Sequence, residues 1–594
     1  MFQRNPARPN PIPEHGKGVL DRNDIVVDKR VVLAYRVITE SDIPDRLLLL
    51  AHRARKGPQG GESLLDFSAT LIIFLILAIE GSPLTFRAAA AMLHHRLSDE
   101  SRSLIHLPAQ RSEQAWYSLI HKSFTRLVAI QDPKPGPLNK KMLMEDRAAN
   151  EAGRDPEVCE EAMTNLDWLA NELLFVTAAS SPEVFDGWEG NVTIDATAFA
   201  VYSKRGQSVN GLFASIEHDA GWYRRDSKHR EPSDPKNARI AKWAYELHLV
   251  APTINTKESH DQAFCKPVIG ISQCKPSFDP AGNGLKALTQ AMDRFGRYMK
   301  DGLVVADRGY FATSKPEDLA GPVRSLGMGI VTDYQDAQLG LQSQHEGAIQ
   351  VDGSWYCPAM PEDVITASSD FRGKKRTIDA ATFAARVNSR APYQLLRKAK
   401  PNEHGETRYS CPAVGTRATV KCPLKARDAE QNRDRILMRI VPTNIPQFPD
   451  RICKQQTVQF PKTAGLKLGQ DIYWGSKIWL RLYPIARNYI ESVNAYIKDE
   501  RHHALDTPGR RRARGFSKQY LLATLIICAA NLNRVDQFIH REGQPAKHPT
   551  DRRRETTNAY RYDPATGRGK KPTGVYDGYE TNEEFITELN DLSD

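Results

Sequence analysis

Three carboxylates that lie far apart in the chain have the sequence context of a metal-dependent site. Asp195 lies in the strand-like segment VTIDATAF, in which Val192 and Ile194 face one side and Asp195 the other. Asp307 follows the apolar run LVVA, and Glu491 lies in RNYIESVNAYIK. Carboxylates at the ends of core strands often meet in a cleft of an α/β fold. Three such groups could hold two Mg²⁺ ions, with Mn²⁺ as a substitute, and leave room for water and phosphate oxygens. The residue types therefore predict phosphodiester chemistry.

The segment from Tyr483 to His503 predicts an amphipathic helix that begins near Pro484, because proline is tolerated in a first turn. Its polar residues fall within an arc of about 60° at the helical periodicity. These residues are Arg487, Glu491, Asn494 and Lys498. Two interpretations are open: an exposed helix with an ordinary Arg487–Glu491 ion pair, or a metal-ligating glutamate between cations that hold phosphates.

The composition favours a large globular protein with a polyanionic partner. The chain has 594 residues, 40% of them hydrophobic, and a net charge of +10. Residues 476–520 carry ten Lys and Arg residues against four Asp and Glu residues, so much of the positive charge is local. The longest apolar run, Leu71 to Ile79, is too short for a membrane span. The first residues have no signal-peptide pattern, and eight cysteines suit a reduced cytoplasmic protein.

The order of predicted elements from about residue 190 to 340 is strand, strand, helix, strand, helix, strand, which predicts an α/β sheet. Ser314 and Glu317 form a potential capping box before the second helix. The predicted units are a flexible arm (1–45), a helical N-terminal domain with a linker (46–155), the first part of an α/β core (156–341), a β-rich insertion (342–470), the remainder of the core with the Glu helix (471–542) and a disordered tail (543–594). Within the second unit, the segment FLILAIEGSPLTFRAAAAMLHHRL is compatible with a DNA-binding helix–turn–helix and with a plain helical hairpin. The predicted strands of the insertion include ATVKCPL and RILMRIVP.

The insertion contains half of the eight cysteines: Cys357, Cys411, Cys422 and Cys453. Three of them directly precede proline. Their spacing contains no C-x₂-C pair of the kind that marks zinc sites, so the pattern does not favour zinc.

The segments TIDATAF, VVADRGYF and RNYIESVNAYIK together resemble the three catalytic blocks of DDE transposases from bacterial insertion sequences. One subgroup has a Tyr-Arg-Glu-Lys signature, and Arg487, Glu491 and Lys498 match its spacing. Tyr483 lies one residue too early, and Pro484 takes its place. That subgroup also carries a β-strand insertion before the glutamate, which agrees with the long stretch between Asp307 and Glu491.

This resemblance implies a ribonuclease-H-like catalytic core in which Asp195, Asp307 and Glu491 bind the metal ions. It implies that Arg487, Lys498 and Tyr483 contact the phosphates of double-stranded DNA. The basic segment PGRRRARGF adds four candidate DNA contacts, for which a solvated loop is the alternative. These candidates are Arg510, Arg511, Arg512 and Arg514.

The expected reaction is cleavage of DNA at terminal inverted repeats, followed by attack of the freed 3′-OH on target DNA. A homodimer assembled on two transposon ends, in the bacterial cytoplasm and associated with the nucleoid, is expected. Two alternatives share the same residues: a transposase-derived DNA-binding protein without catalysis, and a metal-dependent nuclease that does not join strands.

Overall fold

The computed structural model describes residues 25–55, 64–136, 142–203, 212–225, 240–256, 264–373, 376–399, 401–426 and 440–542. The predicted tail, 543–594, and residues 1–24 of the predicted arm lie outside these described residues. The α-helices are α1 (Asp28–Thr39), α2 (Ile43–Arg53), α3 (Phe67–Ile79), α4 (Phe86–His95), α5 (Asp99–Leu104), α6 (Glu113–Ala129), α7 (Met144–Ala152), α8 (Pro156–Ala178), α9 (Pro280–Met299), α10 (Arg308–Phe311), α11 (Ala320–Ser325), α12 (Glu362–Ile365), α13 (Ala367–Arg372), α14 (Ala380–Asn388), α15 (Arg451–Lys454), α16 (Lys477–Lys498) and α17 (Phe516–Glu542).

The β-strands form one large sheet and two small ones, which makes the fold mixed α/β, as predicted. They are β1 (Val192–Ala200), β2 (Gly221–Arg225), β3 (Ile240–Pro252), β4 (Gly270–Cys274), β5 (Leu303–Ala306), β6 (Gly329–Val331), β7 (Leu341–His345), β8 (Ala348–Val351), β9 (Ser354–Tyr356), β10 (Leu396–Arg397), β11 (Thr407–Ser410) and β12 (Thr457–Phe460).

The large sheet has the strand order β2-β3-β1-β5-β6, with β4 also paired to β3. Strands β2, β3, β4 and β1 are joined by antiparallel pairs, whereas β1, β5 and β6 run parallel. The central strand β1 therefore lies between an antiparallel half and a parallel half. The end of β5 lies next to the middle of β1, because Ala306 is level with Ile194.

The two faces of the sheet are covered by different helices. Val192 and Ile194 of β1 pack in one apolar cluster with the α9 stripe that includes Ala287 and Ala291. A Cβ atom at Gly270 would lie 2.4 Å from the Ala287 carbonyl oxygen, so glycine allows α9 to approach β4. On the other face, α16 packs on β1 and β5, and its apolar residues share one buried cluster with β3 residues such as Leu247. The alternation of β1 residues between the two faces agrees with the sequence prediction.

The N-terminal helices belong to the same apolar core as the large sheet. One cluster of buried residues extends from α1 and α3 through α8 to α16 and α17. Residues 28–39 of the predicted flexible arm form helix α1, which buries Val31, Ala34 and Ile38 on one side. Helix α3, the first of the proposed helix–turn–helix, is buried from Ala69 to Ile79 and has no free face for DNA. Among the described helices, none is both long and apolar enough to cross a membrane.

The insertion contains β strands, as predicted, but also the short helices α12 to α15. Its two three-stranded sheets have the orders β7-β8-β9 and β10-β11-β12. The segment ATVKCPL was predicted as a strand and forms only an isolated bridge at Val420, paired with Ile440. Most of the predicted strand RILMRIVP lies outside the described residues.

Two helix boundaries differ from the sequence prediction. Helix α16 begins at Lys477, where the Ser476 hydroxyl accepts a hydrogen bond from the Trp479 amide at 3.2 Å, so Pro484 lies inside the helix. The sequence prediction placed the start of the helix at Pro484, because proline is common in a first turn, and so missed Ser476 as the N-cap residue. The predicted Ser314–Glu317 capping box is wrong, since the next helix, α11, begins only at Ala320 and has no side-chain cap.

Candidate active site

Asp195 lies near the middle of the central strand, on the face that α16 covers. Its Oδ1 accepts a hydrogen bond from Arg487 Nη1 at 3.2 Å, and its Oδ2 accepts one from Asn494 Nδ2 at 2.8 Å. Both donors lie on α16, so two turns of one helix fix both carboxylate oxygens. Only 14% of the Asp195 side chain is exposed.

Asp307 ends β5 and begins the short helix α10. Its Oδ1 accepts a hydrogen bond from the Gly309 amide at 2.8 Å, which is an N-cap contact. Because β5 runs parallel to β1, the carboxyl end of β5 brings Asp307 to the side of Asp195. The other oxygen, Oδ2, lies 3.9 Å from Arg487 Nη2.

Glu491 completes the group one helical turn after Arg487. Its Oε1 lies 3.3 Å from Arg487 Nη2, so one guanidinium contacts all three predicted carboxylates. The exposed fraction of the carboxylate side chains rises from 14% at Asp195 to 40% at Asp307 and 62% at Glu491. The three groups therefore form the inner end, middle and outer edge of one acidic site that opens to solvent.

The electrostatics of this site are dominated by burial and by mutual charge. Burial raises the pKa of Asp195, an effect that Arg487 opposes and Asp307 reinforces. Burial would lower the pKa of Arg487, but the charges of Asp195 and Asp307 outweigh it and raise that pKa above its ordinary value. Three carboxylates share one guanidinium, so the site keeps an excess of negative charge.

The carboxylates line an open cleft of about 450 Å³. Asn494 and Lys498 of α16 line the same cleft, as does Glu246 of β3. The Glu246 carboxylate accepts a hydrogen bond from the Ser277 amide at 2.8 Å. Burial raises the pKa of Glu246, and this hydrogen bond opposes the rise. The cleft thus presents hard oxygen ligands from the sheet and from α16, together with a lysine of α16.

Two residues of this site had no role assigned from the sequence. Asn494 shares the polar arc of Arg487 and Glu491, so helical periodicity alone places it correctly, but an asparagine gives no distinctive chemical signal. Glu246 lies in YELHLV, whose alternation does not say which face lines a cleft. Its position depends on the pairing of β3 with β1, in which Glu246 is level with Ala198.

Tyr483 does not reach the cleft surface, which corrects the prediction that it contacts DNA. Its side chain is buried and stacks on Trp479, with ring centroids 4.8 Å apart and planes inclined by 8°. The two rings lie four residues apart on α16 and pack in the cluster that includes Val305 and Val331 of the large sheet. The displacement by one residue rotates Tyr483 into the core.

The basic segment divides into buried and accessible arginines. Arg511 is fully buried, and its guanidinium donates to the Ala200 carbonyl at 3.1 Å and to the Leu505 carbonyl. The predicted DNA contact of Arg511 is therefore wrong, because this side chain holds the loop against the end of β1. Burial also lowers its pKa to about 10.

The other three arginines lie nearer the surface. Arg512 is exposed, and Arg514 is partly exposed; both guanidinium groups lie near the ring of Tyr202, at 5.7 and 5.8 Å. Arg510 is partly buried and donates to the Gly81 carbonyl in the α3–α4 turn. Arg510 and Arg512 also line a cleft of about 780 Å³ together with Arg87 of α4. The basic segment and the N-terminal helices thus share one surface.

A second polar group lies behind the cleft on the α9 side of the sheet. His248 Nδ1 lies 2.7 Å from the Tyr310 hydroxyl, and its Nε2 lies 3.5 Å from Cys274 Sγ. Glu246, His248 and Cys274 are the one set of possible metal ligands in the described part of the chain whose ligand atoms all lie within 4.8 Å of one another. Burial lowers the pKa of His248 to about 4, so the ring is neutral at neutral pH. A thiol and an imidazole are not the donors that Mg²⁺ prefers.

The acidic cleft can bind hard divalent cations and, beside them, a phosphate group. Its carboxylates, Asp195, Asp307 and Glu491, come from a strand, a strand end and a helix that are distant in sequence. No protein-family model, curated protein or solved structure matches the chain.

Proposed function

We propose that this protein is a DDE transposase that cuts DNA at terminal inverted repeats and joins the 3′-OH ends to target DNA. The observation that supports this most is the convergence of Asp195, Asp307 and Glu491 on Arg487 in one open cleft. The three residues belong to the three sequence blocks that resemble those of DDE transposases.

The large sheet supports a ribonuclease-H-like core for this enzyme. An antiparallel group of strands continues through β1 into the parallel strands β5 and β6. The first carboxylate lies on the central strand, the second at the end of the neighbouring parallel strand, and the third on a helix that packs across both. Such a frame holds ligands on rigid elements, as metal-dependent strand cleavage requires.

The donor set fits magnesium. All three groups are carboxylates, which are hard oxygen ligands, and a guanidinium already occupies the space among them as a cation. The buried Oδ1 of Asn494 has no hydrogen-bond partner within the described ranges, so it could accept one from water or substrate. Asp195, Asp307 and Glu491 would hold two Mg²⁺ ions, which when bound activate the attacking oxygen and stabilise the leaving one.

The remaining cleft residues position these groups and compensate charge. Asn494 holds Asp195 through its amide, so the carboxylate keeps one orientation while its second oxygen stays with Arg487. In the DNA-free protein, the Arg487 guanidinium neutralises part of the charge of the three carboxylates. When metal ions bind these carboxylates, the guanidinium could instead make bidentate contacts with a DNA phosphate. Lys498 lies on the same helix and lines the same cleft, and its ammonium group supplies a positive charge for the DNA backbone.

Double-stranded DNA is the proposed partner, with transposon ends and target as its two forms. Arg512 and Arg514 lie near Tyr202 on the surface beyond the end of β1 and are the best-placed contacts of the basic segment. Each chain supplies one acidic cleft, so joining two ends requires two copies, and a homodimer assembled on DNA is part of this proposal. The same function places the protein with the bacterial nucleoid in the cytoplasm.

The test is cleavage of a donor DNA that carries the candidate ends, in Mg²⁺, by the wild type and by Asp195→Asn, Asp307→Asn and Glu491→Gln. Each variant should bind the ends and fail to cut, because it keeps the shape of the side chain and loses an anionic ligand. Normal cutting by any one variant would remove that residue from the site.

Sequencing of the wild-type products separates the proposal from its alternatives. Joined ends with a duplicated target support transposition. Cut ends without joining indicate a nuclease, and bound but intact DNA indicates a DNA-binding protein without catalysis.

A further inference from the structure

The four cysteines of the insertion, which are distant in sequence, gather at one place in the structure. All four are buried, and none of them forms a disulfide. Cys357, Cys411 and Cys422 share one apolar cluster, and a side-chain hydrogen bond joins Cys357 to Cys411. The Cys411 thiol also interacts electrostatically with Cys422 and with Cys453. Cys411 is therefore the centre of a group of four thiols.

Three of these cysteines begin tight turns of the form Cys-Pro-x-x. In each turn, the backbone amide of the fourth residue donates to the carbonyl of the cysteine. These bonds are Met360 to Cys357 at 3.1 Å, Val414 to Cys411 at 3.1 Å and Lys425 to Cys422 at 3.0 Å. Backbone amides also point at the sulfurs: Ala359 donates to Cys357, and Leu424 and Lys425 donate to Cys422. Amide donors around a sulfur stabilise thiolate and orient it as a metal ligand.

Hydrogen bonds and packing between the turns hold Cys453, the fourth cysteine, near the other three. Cys453 lies in α15, and this helix packs on the turn that follows Cys422. Lys425 Nζ donates to the Gln455 carbonyl at 2.9 Å, and the Cys411 amide donates to the Gln456 carbonyl at 3.4 Å. Lys425 is buried, and its charge interacts with both Cys422 and Cys453.

We propose that Cys357, Cys411, Cys422 and Cys453 bind one structural zinc ion. Four thiolates are the donor set of closed tetrahedral zinc sites. Zn²⁺ with four thiolates has a net charge of about −2, which the buried Lys425 partly compensates. Among the described residues, no three of these sulfurs lie within 4.8 Å of one another, so binding of one zinc ion requires the sulfurs to move closer together.

The position of this site explains what the ion would stabilise. The insertion has two small apolar clusters, one containing Cys357, Cys411 and Cys422 and the other containing Cys453. Neither of the two short three-stranded sheets has a large core of its own. A zinc ion at the cysteines joins both clusters, as structural metals do in small domains.

Elemental analysis of the full chain, expressed with added zinc and purified without a chelator, tests the proposal. The wild type should hold about one zinc ion per chain, and Cys411→Ser and Cys453→Ser should lose it. Cys265→Ser is the matched control, because Cys265 is as buried as Cys411, at 4% exposed, but lies outside the insertion, and it should keep the zinc. Cys274→Ser should also keep it.

A second measurement needs no variant and so does not depend on how variants fold. In the wild type, Co²⁺ in place of zinc should give the absorption of a tetrahedral four-thiolate complex, and a chelator should then make four further cysteines reactive to alkylation. The proposal is overturned by zinc-free wild-type protein after reconstitution, by loss of zinc in Cys274→Ser with retention in Cys411→Ser, or by a Cys357–Cys411 disulfide in the unreduced protein.

Discussion

Two arginines in this molecule bind carboxylates in opposite ways. Arg372 forms a bidentate pair with Asp333, at 2.6 and 2.9 Å, and both side chains are at most 6% exposed. Asp333 also accepts a hydrogen bond from Trp474 Nε1 at 3.1 Å. Arg487, in contrast, shares one guanidinium among three carboxylates at longer distances, and two of those carboxylates are substantially exposed.

The difference separates a structural ion pair from a candidate site. At Arg372, the main partner is closely matched in charge and geometry, so the pair is closed and holds the insertion helix α13 on the end of the large sheet. At Arg487, negative charge exceeds positive charge and the group faces solvent, so it has capacity for further cations. An excess of one charge in an open cleft indicates binding better than the mere presence of an ion pair does.

The largest expected effect is on stability at the closed pair. Arg372→Ala should lower the free energy of unfolding by about 3–5 kcal/mol, because Asp333 is left buried without its cation. Arg487→Ala should cost less, since water reaches Asp307 and Glu491. Chemical denaturation with and without Mg²⁺ checks this: Mg²⁺ should restore much of the loss in Arg487→Ala and none in Arg372→Ala. Equal rescue of both variants would contradict the comparison.

A smaller effect is expected when the support of Asp195 is removed. Asn494→Ala should lower the cleavage rate by roughly 10–100-fold, because loss of a partner that orients a metal ligand typically has this cost. Ser492→Ala on the exposed face of the same helix is the matched control and should cut normally. Single-turnover cleavage of a donor DNA measures both, and equal rates for wild type and Asn494→Ala would leave the Asn494 contact without a role.

Metal affinity should increase, whereas stability and cleavage decrease in the variants above, when the Arg487 guanidinium that competes with the metal is removed. Arg487→Ala should bind Mn²⁺ roughly tenfold more tightly in the DNA-free protein, which corresponds to about 1.4 kcal/mol. The reason is that the guanidinium occupies the space that the metal needs. Calorimetric titration checks this, with Lys498→Ala expected near wild type and Glu491→Gln expected to be weaker. Weaker binding by Arg487→Ala would mean that the arginine organises the site instead of filling it.

The sequence predicted the parts of the site that follow from local patterns. Alternation placed Asp195 on the face opposite Val192 and Ile194, and the end of an apolar run placed Asp307 at a strand end. Helical periodicity placed Glu491 and Asn494 on one line. The meeting of these elements was expected from the general position of strand-end carboxylates in α/β folds and from the resemblance, because no local pattern specifies that β5 pairs with β1.

The errors arose where tertiary packing overrides local signals. In the basic segment, four arginines look alike in sequence, but the chain passes the end of β1 and buries Arg511 there. The Cys-Pro turns contain no short C-x₂-C spacing, so the proximity of Cys357 to Cys411 is a property of the fold that no local pattern predicts. Residue type and spacing therefore indicate chemistry, whereas exposure and long-range contact depend on the whole fold.

The smallest expected effect distinguishes the arginines of the basic segment by their exposure. Each phosphate contact on duplex DNA releases counterions and contributes about −0.9 to the slope of log affinity against log salt concentration. Arg512→Ala and Arg514→Ala should each make this slope shallower by up to that amount and weaken binding to all sequences alike. Arg511→Ala should leave the slope unchanged and lower stability, because its guanidinium bonds the Ala200 and Leu505 carbonyls inside the protein. End-binding assays over a salt series, beside thermal unfolding of the same variants, measure both quantities. A shallower slope for Arg511→Ala in a stably folded protein would place that arginine on the DNA and remove the distinction between buried and accessible cations.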